Sequence, residues 1–420
     1  MKKHVWSSVF VALLLALACI CSACNGNEEK SKGGDEQTPP ASQGLTFELN
    51  EDGESYTLTD VGSCTDVDIV IPAKYRGKPV TAIGRDCFNY CAFVRSVVIP
   101  EGVTEIDGGF YGCVNLERVT IPNSVTSVGN AFSECPKLAF GEDDRGYYLG
   151  NQKNPYLVFL RLKDDSIADA CEIRQGTRVL AKQAFAYSSV TSIKIPATVT
   201  HVGAFAFDHA WYLVTVYAED PIAWLNITFD GSSRIHLLGA EIRFVNQAGN
   251  EITEVVIPEG TERIGDYAFA GCTGLTSVTI PDSVTSIGDG VFWDCDNLVG
   301  YEYENGYYLG NDNNPYLIFW QTRSEEISSF KIHEDTRFIS DYAFASCAAA
   351  LESVTIPHGV VSLGRRSFSS CASLTSIEIP NTVTKIGYEA FYNCSGLSSV
   401  TIPDRATLPS LHPQNNYCTL

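Results

Sequence analysis

Leu275-Thr-Ser-Val-Thr-Ile-Pro-Asp-Ser-Val-Thr-Ser-Ile-Gly-Asp-Gly-Val-Phe-Trp-Asp-Cys295 returns, little changed, as Leu374-Thr-Ser-Ile-Glu-Ile-Pro-Asn-Thr-Val-Thr-Lys-Ile-Gly-Tyr-Glu-Ala-Phe-Tyr-Asn-Cys394. Pro258 and Pro281, Pro357 and Pro380, and Pro380 and Pro403 are each 23 residues apart. A fixed period of this size specifies a solenoid, because one such coil can bury its apolar face only against its neighbours. Weaker copies keep the phase at Pro72, Pro100, Pro122, Arg174, Pro196 and His333. From Pro258 onward each turn phenylalanine (Phe269, Phe292, Phe344, Phe368, Phe391) lies 11 residues past its Ile-Pro site.

Each position in the repeat has a physical task. Alternation in the strand turns Val278 and Ile280 inward and Ser277 and Thr279 outward. Pro281 cannot donate to a sheet ladder and ends the strand. Val284 and Ile287 form a second short inward segment, and Gly288 permits the turn after it. Ala-Phe with a cysteine three residues on reads as a helical or 3₁₀ turn that lays both side chains over the interior. The expected fold is therefore mainly β: a solenoid of roughly 23-residue coils with a continuous parallel sheet, short helical turns and inserted β-hairpins.

Three segments interrupt the period, near 138–168, 211–250 and 298–328. Tyr147-Tyr-Leu-Gly-Asn-Gln-Lys-Asn-Pro-Tyr-Leu-Val-Phe159 is repeated at an offset of 160 as Tyr307-Tyr-Leu-Gly-Asn-Asp-Asn-Asn-Pro-Tyr-Leu-Ile-Phe319. Gly-Asn-x-x-Asn-Pro between aromatic strands predicts a β-hairpin in both. Trp211 to Asn250 reads as an insertion with a further hairpin around Glu241 to Ile252. Phe47 to Thr59 reads as a hairpin about Asp52-Gly53 that covers the N-terminal sheet edge.

The ends carry processing signals. Met1-Lys-Lys-His precedes an apolar run from Val9 to Ile20 that is short for a membrane span. Cys21-Ser-Ala-Cys24 resembles the lipobox of bacterial lipoproteins, which makes Cys24 the expected lipidation site; plain cleavage and secretion is the alternative. The chain thus divides into a leader over 1–23, a polar tether over 24–44, a hairpin cap over 45–69, the solenoid over 70–403 and a tail over 404–420. Localisation is expected at the outer surface, with the membrane touched only through the lipid anchor.

Composition narrows the function. Of 420 residues, 45% are apolar and 19% charged, enough for a long core, and the formal charge is −21. Such acidity argues against nucleic acid as a partner. Eight of the 15 cysteines share one repeat position (Cys91, Cys113, Cys135, Cys272, Cys295, Cys347, Cys371, Cys394), so they read as small buried hydrophobes rather than a disulfide framework. The histidines are scattered and no nucleophile, metal or phosphate motif is present, so no catalytic residue, metal or cofactor is expected. Candidate binding residues are the hairpin tyrosines Tyr147, Tyr148, Tyr156, Tyr307, Tyr308 and Tyr316, and the outward strand residues Ser277, Thr279, Ser353, Thr355, Ser376 and Glu378. Packing of the tyrosines on the adjacent coil is the competing reading.

The pattern Leu-x-x-Val-x-Ile-Pro-x-x-Val-x-x-Ile-Gly-x-x-Ala-Phe-x-x-Cys, running from about Val70 to Pro403, resembles the BspA-like leucine-rich-repeat family of bacterial surface proteins. The resemblance implies a surface-anchored adhesion module for protein or glycan on host or neighbouring cells. An envelope scaffold without an external ligand is the alternative.

Overall fold

The computed structural model describes residues 40–231 and 239–407. Cys24, the leader, most of the tether, His236, Cys418 and the tail from 408 lie outside the described residues. Among the described residues no helix is long and apolar enough to cross a membrane.

The repeat closes on itself through two columns of parallel strands and a column of turns. The Val-x-Ile strands build the first column. Asp68–Val70, Ser96–Val98 and Arg118–Thr120 stack in register, so Ile69, Val97 and Val119 form one inward ladder. Ala170–Glu172, Ser192–Ile195, Thr215–Ala218 and Glu241–Val245 continue it, followed by the pairs Glu254–Val256 with Ser277–Thr279 and Ser329–Lys331 with Ser353–Thr355. The Val-Thr-x-Ile segments build a second column of their own, as in Glu105–Ile106 beside Ser127–Val128 and Phe338–Ile339 beside Ser362–Leu363. The expected single continuous sheet is therefore two columns, and each is broken at the inserts.

The turn column holds the phenylalanines. Phe88, Phe110 and Phe132 stack at 5.0 and 5.2 Å, and Phe344, Phe368 and Phe391 at 4.7 and 5.3 Å. Phe159 and Phe319, from the insert strands, join the same ladder, 4.8 Å from Phe185 and 5.0 Å from Phe344. Short helices occur at Pro221–Leu225 and Ala345–Cys347. Elsewhere the turn carries left-handed residues two positions before and after its phenylalanine: Gln183 and Tyr187 about Phe185, Arg366 and Ser370 about Phe368, Glu389 and Asn393 about Phe391. Alternating right- and left-handed residues aim every second N–H the same way. Arg366, Phe368 and Ser370 accordingly donate to Tyr388, Ala390 and Tyr392 of the next coil at 3.0, 2.9 and 2.7 Å.

The cysteines tie the turns together. Cys113, Cys135, Cys295 and Cys394 each donate through Sγ to the carbonyl of the preceding coil's phenylalanine, at 2.9 to 3.1 Å. Gly288 has a different role from the one expected. Its φ is not left-handed; a Cβ there would sit 2.3 Å from the Asp266 backbone nitrogen, so glycine is required by the close approach of the coils.

The segment 211–250 proves to contain coils rather than interrupt them. Thr215–Ala218 and Glu241–Val245 are neighbouring strands of the first column. In register with Pro196, Glu219 and Val245 stand where the repeat has proline, which hid the period. Asp220 caps Pro221–Leu225 by accepting from the N–H groups of Ile222 and Ala223 at 2.7 and 2.8 Å. The expected hairpin is present, with Phe244 opposite Ile252. At the N-terminal end Thr46–Leu49 pairs antiparallel with Tyr56–Asp60, which lies parallel beside Lys78–Ile83.

Candidate binding site

Both inserts are hairpins built the same way. Gly146–Leu149 pairs with Val158–Leu162, and Gly306–Leu309 with Ile318–Thr322. The Asn side chain after the Gly organises each turn: Asn151 Oδ1 accepts from the N–H groups of Lys153 and Asn154, and Asn311 Oδ1 from those of Asn313 and Asn314. Gly150 and Gly310 stand where the next Val-x-Ile strand would, accepting from Ile121 at 2.9 Å and Ile280 at 2.8 Å.

This architecture sorts the six tyrosines. Tyr148 and Tyr308 are wholly buried and are not surface residues. The strand's alternation turns them into the core, where Tyr148 donates to Asp143 at 2.9 Å. Burial pushes Tyr308 up to about 12. Tyr156 and Tyr316 are half-buried and pack on the residues that replace proline: Arg174 lies 5.4 Å over Tyr156, and His333 stacks on Tyr316 at 3.8 Å. Tyr147 and Tyr307 remain partly open, each under a cation. Lys163, which pairs with Glu142 at 2.6 Å, lies 5.7 Å over Tyr147. Arg323, which pairs with Glu302 at 2.9 Å, lies 5.4 Å over Tyr307.

Among the outward strand residues, Ser353, Thr355, Ser376 and Glu378 are exposed and Ser277 and Thr279 half-buried. Ser376 and Glu378 fall outside any strand, and the set shares no concavity.

Tyr147 does face one. A cleft of about 840 Å³ separates the first insert from the turns stacked before it, with Tyr90, Tyr111, Glu134, Phe140, Tyr147 and Arg161 among its walls. Tyr90 is 71% exposed and meets Tyr111 edge to face at 5.4 Å. Phe140 packs on Tyr147 at 5.0 Å, and the Arg161 guanidinium lies 5.1 Å over the same ring. The turn ladder also ends here: the N–H groups of Phe132 and Glu134 have no acceptor among the described residues. Tyr90, Tyr111 and Arg161 were not expected as site residues. The signal available was two tyrosines directly after turn phenylalanines, one and two positions on, where most coils carry small or polar residues.

No group of three or more metal-ligating side chains occurs among the described residues. Asp68 pairs with Arg95, whose hydrogen bond holds its carboxyl down to about 2.

Several solved structures resemble the chain. A leucine-rich cell surface protein from Faecalibacterium prausnitzii is 27% identical, with 87% of this chain and 95% of that one covered, at a TM-score of 0.25. A leucine-rich repeat protein from Eubacterium ventriosum is 19% identical over 90% of this chain and 98% of that one, at 0.29. The leucine-rich repeat protein of T. pallidum is 20% identical over 63% and 91%, at 0.27. No curated protein matches the chain. The family model for the BspA-type leucine-rich repeat region matches in 6 copies, over residues 67–140, 166–234, 244–311 and 319–411. With two in-register strand columns, a phenylalanine ladder and that match over most of its length, the chain belongs to the BspA-type leucine-rich-repeat family.

Proposed function

We propose that the chain is exported, anchored through a lipid on Cys24, and acts at the cell surface as an adhesion module that binds protein or glycan ligands. The cleft beside the first insert carries this reading. Exposed aromatic rings in a concavity cost solvation and contribute nothing to the ladder, whereas they suit a ligand that covers them. Repeat architecture supplies the rest, since stacked coils hold such a surface rigid at little cost in loop entropy.

The test is an array of matrix proteins and surface glycans probed with the purified chain, alongside the Tyr90→Ala variant. Saturable binding that the variant weakens is the expected result. Stable capture of envelope components only, with no external ligand, would point to scaffolding instead.

A further inference from the structure

We infer that the cleft's ligand is a neutral oligosaccharide, stacked on Tyr90, Tyr111 and Tyr147 and hydrogen-bonded by Arg161 and Glu134. This rests on the binding role proposed above and names its ligand class.

The duplicated insert separates what the hairpin needs to fold from what it does not. Tyr148 and Tyr308, Asn151 and Asn311, and Asn154 and Asn314 make matching internal contacts in the two copies. The cleft residues do not match. Arg161 lies opposite Tyr147, and Gln321 takes its place opposite Tyr307. Gly300 stands where the first copy has Phe140, and Ala270 follows Phe269 where Tyr111 follows Phe110. The second insert folds with other residues in these places, among them Tyr301 and Trp320, so the hairpin fold does not itself dictate the identities of Arg161, Phe140 and Tyr111.

Their electrostatics point to an uncharged polyol. Among the described residues the side chains of Arg161 and Glu134 have neither an ion pair nor a hydrogen bond, Arg161 lying over the Tyr147 ring, while Lys163 and Glu142 close on each other. With Glu142 neutralised by Lys163 beside the cleft, Arg161 and Glu134 offset each other, and the chain's −21 repels anions at longer range. A guanidinium only donates and a carboxylate only accepts, which complements sugar hydroxyls that do both. The weakly positive C–H face of a pyranose fits the negative face of a tyrosine ring. The volume, about 840 Å³, lies within the range of small-ligand sites, roughly 300–1,000 Å³.

Calorimetric titration of the full-length chain with cellotetraose, maltotetraose, mannotetraose and tetragalacturonate tests the assignment, at low salt and at about 0.5 M salt. At least one neutral sugar should bind, with a Kd that salt leaves unchanged. Tyr90→Ala and Tyr111→Ala should each weaken it up to about tenfold, and Arg161→Gln, which copies the second insert, about fivefold. Tyr307→Ala should leave it unchanged, and thermal unfolding confirms that the exposed-site variants are folded. Binding of tetragalacturonate alone, indifference to the Tyr90 and Arg161 changes, or no sugar binding would each overturn the inference. If a ligand from the array still binds the Tyr90→Ala variant normally, the binding role survives and this assignment falls; if nothing binds at all, both fall.

Discussion

Phe269 stacks on Phe292 at 5.7 Å and is wholly buried. Replacing it with alanine leaves a void that neighbouring coils, pinned by their ladders, cannot fill, so Phe269→Ala should cost about 3–5 kcal/mol in chemical denaturation. A cost under about 1 kcal/mol would mean that the ladder does not carry the stack. Cys113 and Cys295 are pushed up to about 12 by burial, which keeps the reactive thiolate scarce at neutral pH. Both should resist iodoacetamide in the native chain and react fully once unfolded, as read by mass spectrometry. Asp341 shows the opposite use of burial. Desolvation raises its carboxyl from 3.8 to about 6, against the N–H groups of Gly290 and Arg365, which donate to it. The folded state therefore holds this proton more tightly than the unfolded one. Its contribution is full below about 3.8 and is lost as pH rises through about 6. Asp341→Asn should flatten that part of the stability profile between those pH values, measured by denaturation across the series; an unchanged slope would show that Asp341 does not titrate there.

At the scale of elements, the edge of Lys78–Ile83 is covered by the hairpin of Thr46–Leu49 and Tyr56–Asp60. Deleting residues 45–60 would leave that edge unpaired and expose Ile83, so the melting temperature should fall and aggregation rise. An unchanged melting temperature would show that the hairpin does not stabilise the column. The first strand column and both insert hairpins could be read from the chain, because Val-x-Ile-Pro and Gly-Asn-x-x-Asn-Pro each encode a local geometry; Val-Thr-x-Ile marked a second inward segment, but its two-residue strands gave no sign that they pair into a column of their own. The left-handed turns could not. Tyr90, Gln183 and Tyr187 adopt a positive φ that their residue types disfavour, imposed by hydrogen bonds to the next coil. The coils within 211–250 were hidden because Glu219 and Val245 stand in for proline. The cleft was only half legible: Tyr147 stood out by duplication, whereas Tyr90, Tyr111 and Arg161 become neighbours only when the insert packs against turns from earlier coils.

For the whole molecule, the proposed binding role carries an expectation about strength: an open cleft rather than a closed pocket gives modest affinity for one copy, and many copies on one surface would supply the rest. Linked sites gain roughly 10²–10⁴ in apparent affinity without new contacts. Vesicles bearing the anchored chain should therefore hold a ligand-coated surface at least about 100-fold longer than the soluble chain does, by surface plasmon resonance. Equal residence times would show that single-site affinity does the holding.

The identical seating of Gly150 under Ile121 and of Gly310 under Ile280 has a consequence for how such a chain changes over generations. Leu149 and Leu309 lead into the same turn, so cutting the gene at both points and rejoining it would remove a 160-residue block and recreate one of the two existing joints. The lineage can lengthen or shorten its reach by whole blocks through recombination with the strand register kept, since Gly146–Leu149 would meet Ile318–Thr322 in the pairing both hairpins already use, and the copy left spare is free to diverge.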